Sequence, residues 1–165
     1  TLDEVPNAAP VKISADAKYW MWINGVEVDS DILAEWVSQA RSIAATKDLT
    51  EICDIQIGKL LAHAPSNTNK TFWPPSAVCK VIEDTASSDL ESGFRIECHN
   101  KRGAYTKTLN EGGDQERYLA EQYQQWADSA HLYPRTSVML ANIADSWLRL
   151  AADEDIRAEQ DKMKW

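Results

Sequence analysis

Apolar residues recur at spacings of three and four along most of this chain, and each such run predicts a helix with one buried face. The first runs to about Thr46: Asp29-Ser30-Asp31 supplies N-cap side chains, and Leu33, Trp36, Val37, Ala40 and Ile43 or Ala44 share a face. A second begins near Leu49-Thr50, repeats the pattern with Cys53, Ile57, Leu60, Leu61 and Ala64, and stops at Pro65. The two form a helix hairpin over 30–64. After the polar stretch 66–71, Phe72-Trp73-Pro74-Pro75-Ser76 opens a third helix, since proline is tolerated where its missing N–H would have no partner. Val78, Val81, Ile82 and Thr85 face inward on it. Ser87-Ser88-Asp89 caps a fourth, whose Leu90, Phe94 and Cys98 are four apart, and Gly93 within it permits close packing. Trp73 beside two prolines reads as a plug pinning the preceding loop to the core, or as a ligand edge.

The longest patterned region follows Gly112-Gly113-Asp114. Leu119, Tyr123, Trp126, Ala127 and Ala130 share one face, the Leu132-Tyr133-Pro134 break ends that helix, and Leu140, Ile143, Ala144, Trp147, Leu150 and Ala151 share a face in the next. A break that short predicts an antiparallel pair over 114–164. From Asp153 the sequence is charged all round, as a solvated helix end or an acidic docking tail would be. Strand signal is confined to the front: Tyr19-Trp20-Met21-Trp22-Ile23 and Val26-Glu27-Val28 flank Asn24-Gly25, the strongest short hairpin signal available. Trp20 and Trp22 either cover a core or form an aromatic ligand shelf. Residues 1–18 read as a linker or extended segment, because Pro6 and Pro10 lie in a stretch without period. The start at Thr1 fits either processing or a piece of a larger polypeptide. The fold class is therefore mainly α: a single domain over 19–165, a helical bundle of five or six helices with one short N-terminal β-hairpin at 19–28.

One long segment lacks any period. His99 to Arg117 is rich in basic and amide side chains and lies between patterned helices, which makes the polar loop 99–113 and the helix start after it the natural binding surface. Asn100, Lys101, Arg102, Gln115, Glu116 and Arg117 are its candidate residues. Free N–H groups at the start of the helix at 114 would help them hold an anion. Between Arg95 and Lys107 the formal charge sums to +3 while the whole chain carries −9, so that stretch marks a face of opposite sign. Within the loop, Arg102 beside Gly103 at the tip is assigned the binding role, and Arg117 in the first helical turn the structural one.

The net charge of −9 and pI near 4.8 argue against general nucleic-acid or membrane-surface binding. No apolar run approaches the roughly 20 residues a membrane span needs, and no signal peptide is visible, so a cytoplasmic address is expected. Cys53, Cys79 and Cys98 are an odd set without a CxxC pair, which predicts three reduced thiols and no zinc. His63, His99 and His131 lack helical partners at metal-binding spacing. His63, near a helix end, suits the dipole there. Cys98-His99 is the one nucleophile and base adjacent in sequence, and neighbours on a helix end point apart. No phosphate loop and no HExxH occurs. No cofactor and no metal is expected.

Trp73-Pro74 with Val81-Ile82-Glu83, then Asn100-Lys101-Arg102-Gly103, then Gly112-Gly113-Asp114-Gln115-Glu116-Arg117 with Leu119-Ala120 and Pro134-Arg135-Thr136, resemble a pattern seen in uncharacterised bacterial proteins. The resemblance covers roughly the last 95 residues. It implies a bacterial protein and carries over no activity or site. Two functional readings follow. In one, the chain is a non-catalytic protein-interaction or accessory domain of a larger bacterial protein or complex, and the 99–117 loop docks another protein or domain of the same polypeptide. In the other it is a small enzyme domain whose loop residues converge on an anionic substrate. Geometry separates them. Side chains converging in a concave pocket favour the enzyme, and side chains engaged in holding the loop favour the module.

Overall fold

The computed structural model describes residues 30–65, 72–108 and 111–163, with the backbone alone of Trp22–Ile23 and Val26–Glu27. Those four pair antiparallel, Trp22 opposite Glu27. The rest of the hairpin at 19–28, the linker at 1–18, the polar stretch 66–71 and Trp165 lie outside the described residues. Among the described residues there are six helices: α1 (Ser30–Ala45), α2 (Thr50–Leu61), α3 (Ser76–Thr85), α4 (Ser88–Asn100), α5 (Asp114–Ser129) and α6 (Pro134–Lys162).

The helices pack in two tight pairs. α1 and α2 are joined by a turn in which Asp48 adopts a left-handed φ of 55°, and α2 then runs parallel to α4, with Asp54 beside Ser87 and His63 beside Glu97. Glycine makes that second contact possible: a Cβ on Gly58 would lie 1.9 Å from the Leu90 carbonyl oxygen, and one on Gly93 would lie 2.1 Å from that of Ile55. Backbone therefore touches backbone, as the placing of Gly93 anticipated. α5 and α6 form the other pair, antiparallel as their short connection requires, with Ser137 Oγ donating back to the Ala127 carbonyl at 2.9 Å. Leu33, Val37, Ile57, Leu61, Val78, Val81, Ile82, Leu90, Phe94, Tyr123, Met139, Leu140, Ile143 and Trp147 fill one continuous core. The expected inner faces hold, with Ala44 rather than Ile43 (62% exposed) on that of α1, and with one exception, Leu150 (42% exposed).

Three polar joints fix the helices to one another. Asp54 is buried and takes Arg41 Nε at 2.8 Å and Ser87 Oγ at 2.6 Å. Ser87 is also the N-cap of α4, accepting the Leu90 N–H at 3.3 Å, so one hydroxyl links two helix starts. α6 begins at Pro134 without a capping side chain of its own. Glu83 of α3 serves instead: its carboxylate accepts the Arg135 N–H at 3.1 Å and the Thr136 N–H at 2.8 Å. Trp73 is buried as the plug the sequence suggested, its Nε1–H donating to the Ala64 carbonyl at 2.8 Å and its ring against Phe94 and Trp126.

Candidate functional site

The chain leaves α4 one turn later than its apolar stripe indicates, because Asn100 and Lys101 continue the hydrogen bonding beyond Cys98. Gly103, at φ 65°, turns it outward, and residues 104–108 then cross toward the start of α5 as a strap. Glu111 accepts the Thr108 N–H at 2.8 Å. Gly112 (φ 68°) and Gly113 bring the backbone against the far end of α6, where a Cβ on Gly113 would lie 2.3 Å from the Ala151 carbonyl oxygen. Only glycine allows that approach.

A buried carboxylate holds this strap. Glu116, in the first turn of α5, is 1% exposed and faces Arg102 Nη1 at 2.6 Å and Lys107 Nζ at 2.8 Å. Burial alone would push its pKa up, but Lys107 and Arg102 outweigh that and hold it below the usual carboxylate value. Lys107 also donates to the Gly112 carbonyl at 2.9 Å and meets Glu154 at 3.1 Å, and its pKa is raised by the two carboxylates against its own desolvation. Arg102 donates to Gln115 Oε1 at 3.2 Å and lies 3.5 Å over the Tyr105 ring. Gln115 in turn donates to the Thr106 carbonyl and to Glu111. Such a network replaces the backbone ladder that an irregular segment lacks.

Of the six candidate residues, the structure brings Arg102, Gln115 and Glu116 together. Asn100 lies in the last turn of α4 and donates to Glu97 of the same helix at 3.2 Å. Lys101 points the other way, donating to the Ala62 carbonyl at 2.6 Å and lying 5.0 Å over Trp73. Arg117 is on the α6 side, paired with Asp155 at 2.7 Å and Asp114 at 2.5 Å. Both arginines are paired within the fold, Arg102 the more deeply. Arg102 is 12% exposed at its side chain and bonded within the fold, whereas Arg117 is 44% exposed in pairs that are themselves open to solvent.

At the start of α5, where an anion site is expected, a carboxylate of the protein takes one of the backbone N–H groups. The Gly113 N–H donates to Asp155 Oδ1 at 2.8 Å, and Arg117 together with that N–H lowers the Asp155 pKa. Nor does the basic stretch form a basic face. Around the strap Arg102, Lys107, Arg117 and Arg157 meet Glu111, Asp114, Glu116, Glu154 and Asp155, four cations against five carboxylates. Glu154 and Asp155 belong to the charged tail that reads as solvated in sequence.

His99 meets a serine. Ser146 Oγ is 2.8 Å from His99 Nε2 and 2.7 Å from the Ile143 carbonyl. A carbonyl only accepts, so the single hydroxyl proton goes to Ile143 and His99 donates Nε2–H to the serine. That tautomer cannot deprotonate Ser146. Burial lowers the His99 pKa and keeps the ring neutral. Among the described residues no group of three or more His, Cys, Asp or Glu is placed to hold a metal ion. Cys79 and Cys98 are buried, their thiol pKa values pushed up to about 12 chiefly by desolvation, which makes them poor nucleophiles.

With the polar groups engaged, what the strap presents outward is aromatic. Tyr105 is 50% and Tyr118 68% exposed, and with Leu119, Arg102, Asp114 and Gln115 they line a groove of about 490 Å³ between strap and α5. A smaller cleft of about 220 Å³ lies between α1 and α3, where Arg41 is held by Asp54. No family model matches this chain, and no curated protein or solved structure does either. Among the described residues no helix is long and apolar enough to cross a membrane.

Proposed function

We propose that this chain is a non-catalytic protein-interaction or accessory domain of a larger bacterial, cytoplasmic protein or complex, and that it docks its partner on the surface formed by the strap and α5. One observation carries the reading: the charged and amide groups of the loop are bonded to one another and to α6, while two tyrosines beside them stay open to solvent over a groove. Buried, paired charges hold geometry. Exposed aromatic rings over a concave floor supply the rigid, partly apolar anchors found at the centres of interfaces. The enzyme alternative needs the reverse, because an anionic substrate at this loop would have to take Arg102 from a buried carboxylate at 2.6 Å.

The test is a photo-crosslinker, p-benzoylphenylalanine, placed at Tyr118 in the full chain expressed in its source cells, with Ile52 on the exposed side of α2 as the control position. A discrete adduct with another protein from position 118 and none from 52 is the expected outcome. Equal adducts at both positions, or none at 118, refute the docking reading.

A further inference from the structure

The groove also has features that select what enters it. Its floor is apolar: the rings of Tyr105 and Tyr118 and the side chain of Leu119. One side of Tyr105 is already covered by the Arg102 guanidinium at 3.5 Å, so a second cation stacked there would meet like charge. The rim is acidic. Asp114 is 73% exposed at its side chain, Glu121 lies exposed one turn beyond Tyr118, and Glu111 closes the strap end. Of the charges at this end, Asp114 is 73% exposed at its side chain while Arg102 and Lys107 are turned inward at 12% and 15%, so the groove meets solvent through its carboxylates despite the local run of basic residues. The groove is also short. From Asp114 to Leu119 the helix rises roughly 7.5 Å, room for two or three residues of an extended chain at about 3.1 Å each, and less than an amphipathic helix needs for its anchors.

We propose that this groove receives a short extended segment of another polypeptide, one that sets a leucine or proline against Tyr105, Tyr118 and Leu119 and a lysine or arginine against the acidic rim. The inference rests on the docking reading above and adds the chemistry of the partner. Aromatic-lined grooves suit polyproline-like segments, whose conformation is set before binding so that little ordering entropy is lost. Charge on the rim chiefly sets selectivity and encounter rate, and the apolar floor sets residence.

The experiment is a ¹H–¹⁵N NMR titration of the full chain with two probes, the acetylated and amidated peptides Gly-Lys-Pro-Leu-Pro-Lys-Arg-Gly and Gly-Glu-Pro-Leu-Pro-Glu-Glu-Gly. Shifts confined to amides of 102–121 are expected, with the basic peptide bound at least about tenfold more tightly than the acidic one. Tyr118→Ala should weaken it by at least about tenfold while leaving the melting temperature unchanged, since the side chain is 68% exposed. Three results overturn the proposal: no shifts at about 1 mM peptide, equal affinity for the two peptides, or undiminished binding to Tyr118→Ala. If the peptides fail while the crosslinker at 118 still captures a protein, the basic partner is wrong and the docking reading stands. If both fail, both fall.

Discussion

Replacing Arg102 with alanine should destabilise the fold far more than replacing Arg117, and the reason lies in what each leaves behind. Arg102 is 12% exposed and pairs with a carboxylate that is 1% exposed. Removing one member of a buried pair and stranding the other costs about 3–5 kcal/mol. Glu116 is not fully stranded, because Lys107 remains 2.8 Å away, and that removes the upper part of the range. Loss of the bond to Gln115 and of the stack on Tyr105 together adds about 1 kcal/mol. The expected loss is therefore about 4–5 kcal/mol, which for a domain of this size lowers the melting temperature by about 8–20 °C. Arg117 differs because both its partners are open to water, and exposed pairs contribute little. Circular dichroism melts of the two alanine variants, with Arg102→Lys as a third that keeps charge but loses the planar fork, measure this directly. A melt of Arg102→Ala indistinguishable from the parent, or a larger drop for Arg117→Ala, would refute the reasoning.

Three further outcomes are expected. Gly93→Ala should stay helical but lose about 2 kcal/mol or more, since its Cβ would sit 2.1 Å from the Ile55 carbonyl oxygen and the helix-propensity gain of about 1 kcal/mol cannot offset a backbone collision; a melt at or above the parent's would contradict this. Glu83→Ala should lose about 1–3 kcal/mol and speed hydrogen exchange at the Arg135 and Thr136 amides, while unchanged exchange there would remove the capping role. Acid should act in two stages. The His99 pKa is lowered from 6.5, so its contribution is complete above that value and drains as pH falls below it; the Glu116 pKa is lowered from 4.5, so its contribution fails only below that. In urea melts against pH, His99→Gln should flatten the first stage and Glu116→Gln the second, and matching slopes for parent and variants would sink the assignment.

The helices were legible because each buries one stripe, and Leu33, Val37, Ile57, Val81, Phe94 and Ile143 fall where their spacing puts them. What periodicity could not show is which polar residues lie inside. Asp54 and Glu116 sit on helices with charged neighbours and look solvated, but their partners come from elsewhere in the chain: Arg41 and Ser87 for one, Arg102 and Lys107 for the other. The tail was partly recoverable. Equal counting outward from the break at 130–133 sets 147–152 opposite 111–116 and 154–155 opposite 108–109, which places Glu154 and Asp155 beside the loop. Leu150 shows the opposite limit: it keeps helical spacing with Ile143 and Trp147, yet Ala151 takes the contact with Gly113 and Leu150 is left 42% exposed.

Trp73-Pro74, Val81-Ile82-Glu83, Asn100-Lys101-Arg102-Gly103, Gly112-Gly113-Asp114-Gln115-Glu116-Arg117 and Pro134-Arg135-Thr136 converge on two of the joints described above and on the Trp73 plug. Glu83 caps the helix that Pro134-Arg135-Thr136 begins, and Arg102 meets Glu116 across the strap that Gly112-Gly113 ends. Each of these positions has a geometric reason for its residue type: a carboxylate to accept paired N–H groups, a proline where a helix needs no N–H, a glycine where backbone meets backbone. A sequence pattern made of such positions specifies a scaffold and says nothing of what the scaffold binds. Tyr105 and Tyr118 lie beside the pattern without belonging to it. The residue at 118 has no packing role, being 68% exposed between Arg117 and Leu119, so the fold leaves its identity open. Chains sharing the joints but differing at 105 and 118 would therefore keep this architecture and differ in partner. Exchanging Tyr118 for serine in this chain should accordingly leave its circular dichroism spectrum and melting temperature unchanged, and a cooperative loss of structure in that variant would show that the groove belongs to the core.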